Sequence, residues 1–242
     1  MNASTKVVIG LLLGLVAGFL LGRLTAGEAG PDVRTPEAMA KALRTAFVEP
    51  DPLLRARDMN RLIEAIDDGN LDGAVEVFRE FATKAETLGV MEFFARWSRL
   101  DVDALADAIE SWPDEKAKSQ GIGWVAYQRA FEGGTASAVP YYEALVPRLR
   151  LVTGYRLVEG ALNNGDQRGL IDWIGSLDDA AERSRLTQSI VFKLLREREP
   201  RDVVAFFDAV PADAPSQYKK QAFLIVLDKL VRHDADAAIA FR

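Results

Sequence analysis

The chain has 242 residues, 49% of them hydrophobic and 27% charged, with a formal net charge of −6 and a single histidine. That length and apolar content suit one or two domains or one elongated array with a core of its own. The lack of cysteine excludes a disulfide framework, a thiolate nucleophile and a thiolate metal site. The acidic balance disfavours nucleic acid and offers no polybasic surface for anionic lipid.

The first element is an uncharged run between Lys6 and Arg23, KVVIGLLLGLVAGFLLGR. Its apolar stretch from Val7 to Gly22 is 16 residues, short of the ~17–25 that usually span a bilayer. Arg23 snorkels, and Leu24 to Ala26 extend the helix, so 7–26 reads as a transmembrane helix behind a short cytoplasmic tail, 1–6. Gly10, Gly14, Gly18 and Gly22 recur every fourth residue and form one smooth stripe, the pattern that lets two membrane helices pair. A homodimer through that stripe is one expectation. The rival reading is a secretory signal cut after Ala26 or Ala29, which would release the chain to the periplasm. The flanking charges favour a cytoplasmic N-terminus, placing the remainder outside the cytoplasm: the periplasmic side of the inner membrane in a Gram-negative bacterium.

GEAGPDVRTPE, residues 27–37, begins with a spacer, 27–34. Thr35 then reads as an N-cap with Pro36 at the first helical position. That helix stops at EPDP, 49–52. In the segment that follows, Met59, Leu62, Ile63 and Ile66 keep helical spacing up to Gly69-Asn70. No period-two strand pattern occurs, so residues 35–242 read as all-α.

The helices also resemble one another. NLDGAVEVF, DVDALADAIESWP, GTASAVPYYEALVP, DQRGLIDWIGSL, PRDVVAFFDAVP and DADAAIAF start at 70, 101, 134, 166, 200 and 234, in steps of 31, 33, 32, 34 and 34. This is the period of a helix pair with two turns. Partner helices occupy the intervals, as in RLTQSIVFKLLR (185–196), where Leu186, Ile190 and Leu194 share a face. Hairpins of this kind bury their stripes by stacking on their neighbours. The expected fold is an N-terminal transmembrane helix followed by an α-solenoid of 31–34-residue hairpins; a plain helical bundle is the alternative.

The arrangement resembles tetratricopeptide-type helical-hairpin solenoids. It is also similar to membrane-anchored bacterial repeat proteins built on a W–(x)–DP–x–A–A theme. The residues carrying this are Arg96-Trp97 with Asp101, Asp103 and Ala104; Arg198 with Pro200, Asp202 and Val203; and Arg232 with Asp234, Asp236, Ala237 and Ala238, preceded by EPDPLLR at 49–55. No repeat carries the full tetratricopeptide signature. The resemblance implies a scaffold and transfers no catalytic residue.

Chemistry has few candidates. His233 is the sole histidine, so no histidine pair can bind metal. GIG (121–123) and EGG (132–134) lack the strand and lysine of a phosphate loop, and NNGD (163–166) reads as a turn. The carboxylate pairs Asp101/Asp103, Asp178/Asp179 and Glu197/Glu199 fall at turns, where Asp caps helices. No catalytic residue, cofactor or metal is assigned, and an enzyme or an enzyme's accessory domain is the least supported reading. The aromatic residues Trp97, Trp112, Trp124, Tyr127 and Trp173 either fill seams between hairpins or line a groove that anchors a partner. The expected role is a membrane-anchored scaffold binding a protein or peptide in the cell envelope, with structural self-assembly as the alternative.

Overall fold

The computed structural model describes residues 32–81, 87–197, 200–208 and 216–240. Among them every regular element is a helix. The segment 7–26, with Gly10, Gly14, Gly18 and Gly22, lies outside the described residues. No described helix is long and apolar enough to cross a membrane.

Short polar caps decide where the helices begin. Thr35 opens α1 (Pro36–Phe47) by accepting the N–H of Ala38 at 3.3 Å, and Asp51 opens α2 (Pro52–Glu64) through Leu53 and Leu54. After α3 (Leu71–Glu80) and α4 (Thr87–Leu100), Asp101 caps α5 (Val102–Ile109) through Ala104 at 2.8 Å. Asp114 then caps α6 (Glu115–Ala144) through Ala117 at 2.7 Å. α7 (Pro147–Asn164) ends on Gly165 at φ 87°, a left-handed stop that suits glycine. Asp166 caps α8 (Gln167–Ser176), and Asp179 accepts two N–H groups at the start of α9 (Ala180–Glu197). α10 (Pro200–Asp208), α11 (Ser216–His233) and α12 (Ala235–Ala240) complete the described chain. Each such cap contributes about 1 kcal/mol. Five of the six starts anticipated from the sequence fall at or one residue before a helix start: 70, 101, 166, 200 and 234.

The sixth, at 134, is different. Gly134 (φ 71°, ψ −172°) breaks α6 into a first limb, 115–133, and a second, 135–144. The first limb meets α7 at a constant offset. A Cβ on Gly123 would touch Arg156 Cγ at 3.1 Å, one on Gly160 would meet the Tyr127 carbonyl at 2.3 Å, and Asn164 donates to the Phe131 carbonyl at 2.8 Å. At the other end Arg148 approaches Glu115 at 3.5 Å. Those pairs are all 33 residues apart, so the two helices run parallel and the second limb carries the chain back between them. Elsewhere too, hydrogen bonds reach about one such step along the chain: Asn70 to Val33 (37 residues), Arg44 to Glu76 (32), Arg79 to Ala108 (29) and Arg96 to Ile66 (30). This packing is compatible with a helical repeat fold.

α5, α8 and α10 each pack on the two long helices flanking them, while α4, α6, α7, α9 and α11 contact one another in succession. The interior forms two apolar clusters. The first, around Leu43, Phe78, Phe93 and Leu105, gives way to the second, around Leu157, Ile174, Ile190 and Phe206, between Val125 and Ala126 of α6.

Candidate functional site

Three of the five aromatic residues singled out in the sequence belong to the interior. Trp97 and Trp112 are each only 3% exposed, 6.3 Å apart, and packed with Phe93, which stacks on Phe78. Arg79 lies over Trp112 at 5.4 Å and donates to the Ala108 carbonyl. Trp173 meets the buried Tyr142 edge-on at 5.1 Å. Trp97, Trp112 and Trp173 are therefore packed in the interior against neighbouring aromatic rings and do not line an open surface.

Trp124 and Tyr127 stand apart from these. Both are partly exposed, on the first limb of α6, with rings in edge contact at 5.1 Å. Tyr127 stacks on the exposed Phe131 at 6.0 Å and accepts a hydrogen bond from Asn163 at 3.0 Å. The three rings form a row along one helix face. The indole N–H of Trp124 is buried, and the Arg156 guanidinium sits 4.7 Å from the ring centroid. A cation–π contact in such a half-buried setting contributes ~1 kcal/mol.

Arg156 leads from the rings into a chain of charges. It donates to Glu159 at 2.8 Å; Lys193 of α9 lies 3.9 Å from Glu159 and 2.6 Å from Glu197; and Arg196 reaches Glu197 at 2.8 Å. Hydrogen bonds from Lys193 first, and Arg196 second, hold the Glu197 carboxyl below its ordinary value. An open groove of about 760 Å³ runs between α7 and α9 to His233 at the end of α11. Its lining includes Tyr155, Arg156, Arg185, Gln188, Phe192 and Lys193. Phe192 is 52% exposed, with the Lys229 ammonium 3.9 Å from its centroid.

Sequence reasoning did not single out Phe131, Tyr155, Arg156, Arg185, Phe192 or Lys193. A signal existed in the register: Trp124, Arg156 and Gln188 stand 32 residues apart on successive parallel helices.

Of the paired carboxylates, Asp101, Asp103, Asp179 and Glu197 have structural partners, and Glu199 lies outside the described residues. Asp101 caps α5, Asp103 pairs with Arg129 at 2.7 Å, and Asp179 is held below its ordinary value by the backbone N–H groups of Glu182 and Ala181. A general acid needs the opposite, upward shift. Among the described residues no group of three or more His, Asp or Glu side chains is placed to hold a metal ion. Outside the open face, the Tyr142 hydroxyl donates to Glu182, and burial together with that bond pushes it above its ordinary value.

No family profile, curated protein or solved structure matches this chain.

Proposed function

We propose that the chain is a membrane-anchored helical-repeat scaffold of the cell envelope that docks a protein or peptide partner across the open face of α6, α7 and α9. The observation that carries this reading is the continuity of that face. The partly exposed row Trp124, Tyr127, Phe131 joins, through Arg156, an open groove floored by Tyr155 and Phe192. Rigid rings in a part-desolvated groove are the usual anchors of protein recognition. The offset of about one repeat between contacting residues supports an array whose units touch only their neighbours, which presents such a face over several helices. The apolar run 7–26 supports the anchor, and its glycine stripe supports pairing that would double the valency. Self-assembly is a second reading, favoured by Leu224, Val231 and Ile239, which are exposed on α11 and α12.

Panning a random peptide library against the full chain in neutral detergent tests the docking reading. Selected peptides should bind wild type and lose binding to the Phe131→Ser, Phe192→Ser variant, whose changes fall on exposed rings. No enrichment over an unrelated helical protein would contradict it. Concentration-dependent association abolished by Leu224→Ser, Ile239→Ser would favour self-assembly.

A further inference from the structure

Resting on that docking reading, we infer that the segment taken by the groove between α7 and α9 is an acidic peptide, its Asp or Glu side chains pairing with Arg185 and Arg196 and its apolar side chains resting on Tyr155 and Phe192. The chain as a whole carries −6, yet among the described residues the groove is lined by Arg156, Arg185, Lys193 and Arg196 against one carboxylate, Glu159. Glu197, beside it, does not reverse the balance. Two of the cations are already engaged: Lys193 is only 12% exposed and shared by Glu159 and Glu197, and Arg156 is held by Glu159 and Trp124.

The other two are available. Arg185 is exposed and has no ion-pair partner among the described residues, and the Arg196 side chain is 70% exposed with Glu197 as its partner. A guanidinium with unused donors recognises a carboxylate in a two-pronged, charge-assisted way. The apolar rings beside these cations call for a ligand that alternates charge with apolar side chains, which an extended peptide supplies. A lipid surface would meet a recessed groove, not a projecting patch, and the chain's net charge of −6 opposes an extended polyanion such as nucleic acid more than a short peptide confined to the groove.

The test is fluorescence anisotropy of a peptide of alternating Glu and Leu carrying an uncharged dye, titrated with the full chain in neutral detergent beside Ser–Leu and Lys–Leu counterparts. The Glu–Leu peptide should bind at least about tenfold more tightly than Ser–Leu, the factor expected from one charge-assisted hydrogen bond. Arg185→Glu with Arg196→Glu should remove that advantage and leave Ser–Leu binding unchanged. Arg185→Gln alone, at an exposed position without an ion pair, should give a smaller loss in the same direction. Equal binding of the three peptides, or indifference to both variants, would overturn the acidic assignment while leaving the docking reading intact. Failure of all three to bind overturns it as well, with docking then judged by the library selection. Polyphosphate binding more tightly than the Glu–Leu peptide and displacing it would assign the groove to phosphate and also overturn the inference.

Discussion

Asp166 accepts the backbone N–H of Thr135 at 2.7 Å through one carboxylate oxygen and that of Gly169 at 2.9 Å through the other. One side chain thus starts two helices, the second limb of α6 and α8, that begin 32 residues apart. It does so because Gly134 turns the chain at φ 71° and delivers the Thr135 N–H to it. A Cβ on Gly134 would lie 2.8 Å from the same carboxylate.

Removing this double cap should cost more than an ordinary cap. Asp166→Ala is expected to destabilise the chain by about 2–3 kcal/mol, two caps' worth. Asp166→Asn should fall between, since an amide has one accepting oxygen for the two donors. Urea unfolding followed by circular dichroism measures both. A loss under about 1 kcal/mol for Asp166→Ala would show that the two helices start without it.

The close approach of α6 and α7 makes a second prediction. Glycine to alanine inside a helix ordinarily gains ~1 kcal/mol. At Gly160 the new Cβ would lie 2.3 Å from the Tyr127 carbonyl, which belongs to rigid backbone. Gly160→Ala should therefore destabilise, by about 1–3 kcal/mol, and shift Trp124 emission as the helices part. A stabilised variant would contradict the parallel packing.

At high pH two phenols, the half-buried Tyr141 and the buried Tyr142, should limit stability. Burial raises Tyr141 to about 12, with Arg129 opposing and Glu110 adding to the rise. Tyr142 is raised too, by burial first and its bond to Glu182 second. A raised folded value favours the neutral form, so this stability is complete below the ordinary phenol value of about 10. It is lost as the pH rises from there through the folded value of Tyr141. Tyrosinate absorbance should appear in part only as the helical signal falls, and Tyr141→Phe should move the alkaline transition upward. Full ionisation of all tyrosines with the helices intact would be the contrary result.

Tryptophan quenching separates the two kinds of aromatic site. Trp97, Trp112 and Trp173 are 3%, 3% and 8% exposed, whereas Trp124 lies on the partly open row. Acrylamide should quench one fraction of the emission, and Trp124→Phe should abolish that fraction. A bound peptide should protect it. Quenching unchanged by Trp124→Phe would place the accessible indole elsewhere.

The helix starts at 101, 166, 200 and 234 were legible because each carries its own signal, an Asp cap or a Pro at the first position. The true nature of position 134 was not, since the carboxylate that caps Thr135 there comes from Asp166, 31 residues beyond Thr135. Likewise, helical spacing puts Trp97 and Trp124 on similar stripes. What separates them is coverage: the turn after α5 lays Trp112 against Trp97, while Trp124 stays partly exposed between Tyr127 and the Arg156 guanidinium. The cationic groove was hidden for a related reason. Arg156 sits on α7 whereas Arg185 and Lys193 sit on α9, and only the parallel stacking brings them together. The anchor assigned to 7–26 rests on the sequence alone.

The most direct test of the docking face is isothermal titration calorimetry of one library-selected peptide against the full chain, the Phe131→Ser, Phe192→Ser variant and a Leu53→Ser control. Leu53 is 81% exposed on α2, away from the groove lining. Loss of two ring contacts should weaken binding by about tenfold or more, with Leu53→Ser matching wild type. Unchanged affinity in the ring variant, or a loss confined to Leu53→Ser, would contradict docking on this face.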